Sequence, residues 1–194
     1  MTSIAIVFHG GYGHTAKQAE AVRDGAAAGG TATLYSIDAE GNLPDGTWEA
    51  LEAADAIIMG SPTYMGSVSW QFKKFADASS KPWFSQLWKD KVAAGFTNSA
   101  SVNGDKAGTL DYLYHLAMQH SMVWIGTGML PSSTKAANRN DLNWLGAFSG
   151  AMAESPSDSS PDEGPLPGDL ETARQFGARV AAYAARTRMA AAAE

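Results

Sequence analysis

The sequence contains no cysteine, which excludes disulfides, thiol nucleophiles and metal sites built on thiolate. It is also sparing with charge: Asp, Glu, Lys and Arg make up 18% of the 194 residues, and the net charge is −6. So mild an acidity argues against non-specific attraction to nucleic acid or anionic membranes. It also falls short of the strongly acidic surface that suits a dedicated redox carrier. No apolar run approaches the ~18 residues of a membrane-spanning helix, and no basic segment precedes the first apolar one. A soluble, cytoplasmic protein is the expectation. The loops described below hold neither a Ser–His–Asp order nor a carboxylate pair, so hydrolase chemistry is not indicated, and no metal site is expected.

What the chain does have is a glycine-punctuated beginning. Ile4-Ala-Ile-Val-Phe8 is an apolar run rich in β-branched residues, as a strand buried on both faces requires. His9-Gly-Gly-Tyr-Gly-His-Thr15 follows, after which Thr15, Ala19, Val22 and Ala26 repeat at helical spacing. Strand, glycine loop and helix start together point several backbone N–H groups at one spot, where the helix dipole adds positive potential. A phosphate is the natural occupant.

The pattern repeats along the chain. Thr31 to Ile37, Ala56 to Met59, Val92 to Phe96 and Met122 to Ile125 read as further strands. Helical spacing appears between them: Trp48 to Ala54, a stretch carrying Val68, Phe72, Phe75 and Ala76, and another carrying Leu110, Leu113, Ala117 and His120. A last helix opens at Asp169 and carries Leu170, Ala173, Gly177, Val180 and Ala184, with an alanine-rich tail from Met189 expected to fray. Residues 154–168 hold four of the eight prolines and four serines, the composition of an irregular surface segment. Five strands alternating with helices imply one α/β domain over 1–194, its parallel sheet covered on both faces.

Parallel strands place their C-terminal ends on one edge, where open α/β sheets bind ligands. There the first loop meets Gly60-Ser-Pro-Thr-Tyr-Met-Gly-Ser67 and Thr97-Asn-Ser-Ala-Ser-Val-Asn-Gly104. Two ligands compete. Gly11-x-Gly13-x-x-Ala16, with Asp38 after the second strand, fits a loose dinucleotide fingerprint. A mononucleotide phosphate nest with Thr15 Oγ1 as an added donor fits as well. The aromatic, the thioether and the amides of Thr63-Tyr-Met-Gly66 suit a flat heteroaromatic ring with polar edges, which favours the mononucleotide.

Phe8-His-Gly-Gly-Tyr-Gly-His-Thr15, Gly60-Ser-Pro-Thr-Tyr-Met-Gly66 and Gln119-His-Ser-Met-Val123 resemble, in order, the flavodoxin-like NAD(P)H:quinone oxidoreductases of the WrbA type. The resemblance spans most of residues 1–128. It implies a flavodoxin-like, doubly wound five-stranded parallel sheet, FMN as cofactor, NAD(P)H as electron donor, a small quinone-like acceptor, and a homodimer or homotetramer. By the same resemblance Gly10, Gly11, Tyr12, Gly13, His14 and Thr15 would hold the FMN phosphate. Pro62, Thr63, Tyr64, Met65 and Gly66 would line the isoalloxazine. Thr97, Asn98, Ser99, Ala100, Ser101, Val102 and Asn103 would close its far side. Tyr12 and Trp83 would border the nicotinamide and acceptor, and His120, or Gln119 beside it, would approach the ring as a donor. Gly10 stands where the family often has serine, and the third loop lacks the family's run of glycines.

Plainer roles compete for some of these residues. Trp83 and Trp88 suit the edge of a core, and His120 suits a structural place at the end of a helix. Asn138 to Gly168 follows the fifth strand. Its first half, including Trp144, is expected to shape the acceptor pocket, and its Ser/Pro-rich second half to stay mobile.

Overall fold

Strands and helices alternate as the sequence leads one to expect, with two short strands it conceals, Ser67–Val68 and Ala151–Glu154. The computed structural model describes residues 1–191. They run β1 (Ser3–His9), α1 (His14–Ala27), β2 (Thr31–Ile37), α2 (Thr47–Ala53), β3 (Ala56–Tyr64), β4 (Ser67–Val68), α3 (Trp70–Ala78), α4 (Ser80–Phe84), β5 (Val92–Ser99), α5 (Lys106–Gln119), β6 (Val123–Trp124), β7 (Ala151–Glu154) and α6 (Pro167–Ala191). Met189 to Ala191 continue α6; the rest of the tail expected to fray, 192–194, lies outside the described residues. Among the described residues no helix is long and apolar enough to cross a membrane.

The sheet runs β2-β1-β3-β5-β6, parallel throughout this path. This is the flavodoxin-like doubly wound order, in which the chain reverses direction across the sheet between β1 and β3. Alternation along β1 splits its side chains between two cores. Ile4, Ile6 and Phe8 pack with α1 and α6 on one face, and Ala5 and Val7 pack with α2, α3 and α5 on the other. The small residues of α1 serve α6 as much as the sheet. A Cβ on Gly25 would sit 1.7 Å from the Arg174 carbonyl, and one on Gly177 2.0 Å from that of Val22. Either alanine would push the two helices apart.

The outer strand is where expectation and structure part. β6 pairs only with Val92 and Ala93 at the foot of β5. The upper half of β5, Phe96 to Ser99, pairs in parallel with β7. Thus the fifth strand position is shared by two segments, and residues 125–150 form an excursion between them. Ala-Met-Ala-Glu has no β-branched or aromatic residue, so local propensity gives no sign of β7.

Candidate functional site

The registers bring three strand ends together. Phe8 of β1 lies opposite Gly60 of β3, and Pro62 lies opposite Asn98 of β5. At the first of these ends, Gly13 caps α1 at φ +89°, no side chain caps the helix, and no acidic residue lies in its first turn. The first-turn N–H groups are therefore available to an anion. Gly10 keeps the approach open: a Cβ there would lie 3.1 Å from the Ala16 nitrogen. Gly11 lies close under the second loop: a Cβ there would meet the Tyr64 hydroxyl at 2.7 Å and require that side chain to shift. Tyr12 and Tyr64 meet edge to face, with ring centroids 6.2 Å apart.

The expected second loop is largely strand. β3 continues through Tyr64, turns on Met65 and Gly66, and returns as β4, with Tyr64 opposite Ser67. Both turn residues have positive φ, 48° and 83°, the two-residue type I′ geometry that favours Asn-Gly. Met65 is fully exposed at the tip instead of lying against a wall. A methionine in the left-handed region is uncommon. Below the turn, Thr63 Oγ1 shares hydrogen bonds of 2.8 Å with the hydroxyls of both Thr97 and Thr109. That buried trio ties β3, β5 and α5 together as the floor.

A fourth wall was not expected. The Ser/Pro-rich segment leaves β7 and folds back over the first loop as a strap. The Ser155 N–H donates to the Ser99 carbonyl at 3.1 Å, and its hydroxyl to Asn98 Oδ1 at 3.3 Å. His14 Nδ1 donates to the Gly164 carbonyl at 2.9 Å, and Lys17 pairs with Asp162 at 3.4 Å. Pro161 fits against Gly13 so closely that a Cβ on the glycine would be 2.7 Å from Pro161 Cγ. These contacts seat the second half of the segment against the first loop, a place the sequence did not indicate.

These four walls enclose a cavity of about 550 Å³, lined by Tyr12, His14, Thr15, Pro62, Thr63, Tyr64, Asn98, Ser99 and Ala100, and by Ser155, Ser157 and Ser159 of the strap. Its size is ordinary for a nucleotide-sized ligand. Residues 6–138, which supply three of the walls, match the model of the NADPH-dependent FMN reductase family. The chain belongs to this family. It is 50% identical over 181 residues to a Pseudomonas aeruginosa protein named flavodoxin FldP, covering 93% of this chain and 96% of that one. It is 31% identical to an NAD(P)H dehydrogenase (quinone) of Trichlorobacter lovleyi over 96% of this chain and 98% of the other. Among solved structures, the WrbA-like flavodoxin of Agrobacterium tumefaciens superposes with a TM-score of 0.78 at 52% identity, over 96% of this chain and 99% of that one.

The residues fit the family's FMN. The uncapped start of α1, the open cradle at Gly10 and the buried Thr15 suit a phosphate, and the adjacent ends of β3 and β5 offer two walls for a flat ring. The dinucleotide alternative loses its acid. Asp38 Oδ1 accepts from the N–H groups of Glu40 and Asn42 at 3.0 and 2.6 Å, closing its own turn, and these bonds hold its carboxyl below the usual range.

Of the expected cofactor residues, Gly10, Gly11, Gly13, Met65, Gly66, Ser101, Val102 and Asn103 sit in the three loops beside the cavity wall, and Thr97 sits in the floor. Three expected site residues lie elsewhere in the chain's own fold. Trp144 is half-buried beneath the Arg139 guanidinium, 5.0 Å from its ring centroid, and Arg139 is tied to Asp169 at 2.7 and 2.9 Å and to Glu154 at 2.9 Å. Trp83 is partly exposed on α4, and with His120, Ser79 and Gln119 it lines a separate depression. His120 is buried, its Nε2 2.9 Å from Ser79 Oγ and its ring 4.2 Å from that of Trp88. Burial pushes its pKa down to about 4, so the imidazole is neutral at pH 7.

Proposed function

We propose that the protein is an FMN-dependent oxidoreductase that passes reducing equivalents from NAD(P)H to a quinone-like acceptor in a ping-pong cycle. When bound, FMN supplies the chemistry, accepting hydride from the nicotinamide and giving it to the acceptor. The chain's own residues bind and orient. Thr15 Oγ1 and the first-turn N–H groups of α1 hold the phosphate, with the strap serines closing over it. Pro62 to Tyr64 form one wall for the ring and Asn98 to Ala100 the other, presenting backbone and hydroxyl groups to its polar edges. Neither His120 nor Trp144 acts on the ring in this reading, and no side chain serves as acid, base or nucleophile.

The observation that carries the reading is the mouth of the cavity. Three walls and the strap enclose the rest, while Tyr12 is 78% exposed and Met65 is bare. We take that exposed edge as the place where the nicotinamide and the acceptor stack in turn. Trp83, Phe84 and Leu87 form a separate exposed apolar face on and after α4, and we assign to it self-association as a homodimer or homotetramer.

Protein loaded with FMN should absorb as a flavoprotein and oxidise NADH or NADPH with benzoquinone as acceptor. Double-reciprocal plots should be parallel; intersecting lines would rule out the shared mouth. A flavodoxin-type electron carrier is the second reading. It is favoured by the absence of His120 and Trp83 from the cavity and by the likeness to a protein named flavodoxin. Failure to turn over with either nicotinamide, together with clean reduction by dithionite, would select it.

A further inference from the structure

Lysine is among the residues least often buried, yet Lys106, the first residue of α5, has no exposed surface. No carboxylate pairs with it directly among the described ion pairs: Glu154 and Asp169, the acids nearest in charge, are taken by Arg139. Its ammonium instead donates to Ser99 Oγ at 2.8 Å and to the Ser101 carbonyl at 2.5 Å. Both acceptors belong to the third loop. Ser99 is itself a wall residue of the cavity, and its hydroxyl passes the interaction on by donating to the same Ser101 carbonyl at 3.1 Å.

The loop is built to bring the lysine there. Gly104 and Asp105 take consecutive left-handed conformations, φ 54° and 53°, which turn the chain back beneath residues 99–101 before α5 begins. The closure is tight: a Cβ on Gly104 would stand 2.2 Å from Ser99 Oγ. Methionine would fill the same space without the desolvation cost of a buried charge. What the ammonium adds is a fixed pair of hydrogen bonds that ties the irregular loop at Ser101 to Ser99, the last residue of β5.

We propose that Lys106 is a positioning residue for the cofactor site, its charged ammonium bracing residues 99–101 as the wall that faces the FMN ring. The proposal rests on the FMN reading above. A neutral amine could keep both hydrogen bonds but would hold them about half as strongly as the ammonium does, and the charge is poised to be lost. Burial pushes the Lys106 pKa down to about 8, with Arg139 of the 125–150 excursion adding to the depression, while Glu154 of β7 and Asp169 of α6 oppose it. From its own loop the lysine meets only hydroxyl and carbonyl oxygens.

The test compares wild type with K106R and K106M, measuring the FMN dissociation constant by fluorescence quenching from pH 7.0 to 9.5. Wild type should bind most tightly below pH 8 and lose about tenfold by pH 9.5, within the usual range of coupling between sites. Arginine stays charged throughout, so K106R should give a flat profile, and K106M a flat profile about tenfold weaker at pH 7. Melting of the FMN-free proteins separates bracing of the site from general stability. The unfolded lysine titrates near 10.5 and the folded one near 8, so between these values the unfolded state binds more protons and the contribution of Lys106 to stability rises with pH. Affinity and stability, each taken as wild type minus K106R, should therefore move in opposite directions. Parallel wild-type and K106R affinity profiles would overturn the proposal even if K106M failed to fold. Wild type that binds no FMN at any pH would overturn the cofactor reading first, and this inference with it.

Discussion

Replacing Arg139 with methionine tests whether the start of the 138–168 segment is framework or pocket. The guanidinium makes three hydrogen bonds of 2.7–2.9 Å to Asp169 and Glu154, whose side chains are 3% and 14% exposed, and is itself 23% exposed. Removing one partner of a buried pair costs about 3–5 kcal/mol. Two features reduce that here: water reaches part of the arginine, and Asp169 Oδ2 keeps a 2.8 Å hydrogen bond from the Glu154 N–H. The methionine stem retains packing over Trp144 but loses the cation–π term, about 0.5–1 kcal/mol. The net expectation is a loss of roughly 2–3 kcal/mol, which for a chain of this size lowers the melting temperature by about 4–12 °C. Thermal unfolding followed by far-UV circular dichroism measures it, with FMN titration on the same samples at 20 °C. Because the pair anchors β7 and α6, stability should fall well before KM for a quinone changes. A melting temperature within 2 °C of wild type, with a raised quinone KM, would refute the reasoning and return this segment to the acceptor pocket.

Three further outcomes follow from the cavity and the second core. Thr15→Val should weaken FMN binding by about 1–3 kcal/mol, read by fluorescence titration, since it strands a phosphate contact; unchanged affinity would place the phosphate elsewhere. Replacing Ser157 to Asp162 with two glycines should raise the FMN dissociation constant about tenfold, the worth of roughly one polar wall contact, and an inert deletion would show that the strap merely rests there. The lost Lys17–Asp162 pair, exposed on both sides, contributes little to that figure. His120 is held to about 4 in the folded state against an ordinary 6.5, so protons bind the unfolded chain preferentially as pH falls from 6.5 towards 4. Its share of stability, up to about 3 kcal/mol, should be lost across that window. His120→Gln should flatten the slope in acid melting curves while leaving turnover per folded protein unchanged.

The fold was legible wherever burial and local pattern agree. β1, β2 and the foot of β3 are runs rich in β-branched residues, and the spacings that marked α1, α3, α5 and α6 are the ones the helices bury. The second loop misled because Pro62 and Gly60 read as breakers, whereas here they continue a strand into a hairpin. Gly60 is required by the core: a Cβ on it would lie 2.1 Å from the Phe96 ring. His120 was ambiguous in another way. A histidine at the end of a helix near a sheet edge suits a site and a structural place equally; in the fold it lies 4.2 Å from Trp88, which stacks with Trp48 and Phe75 in the core.

The strap shows how one unread element hides another. With β7 unseen, everything after Ile125 looks like a single excursion from the fifth strand, so its beginning is placed at the crevice and its end in solvent. The chain in fact leaves the sheet at the foot of β5 and returns beside its upper half at Ala151. The segment emerging at the ligand edge is therefore the one that begins at Ser155, about 140 residues from the glycine loop it covers. Its contacts with that loop are made by His14, Lys17 and Gly13, residues whose local roles were already filled as helix start and turn. Once β7 is placed, the composition takes on a different meaning. Four prolines limit the chain's freedom before it folds, and Ser155, Ser157 and Ser159 line the cavity. A sequence-level sign did exist: a strand that carries a ligand loop needs a neighbour along its whole length, and β6 is too short to be that neighbour for the upper half of β5.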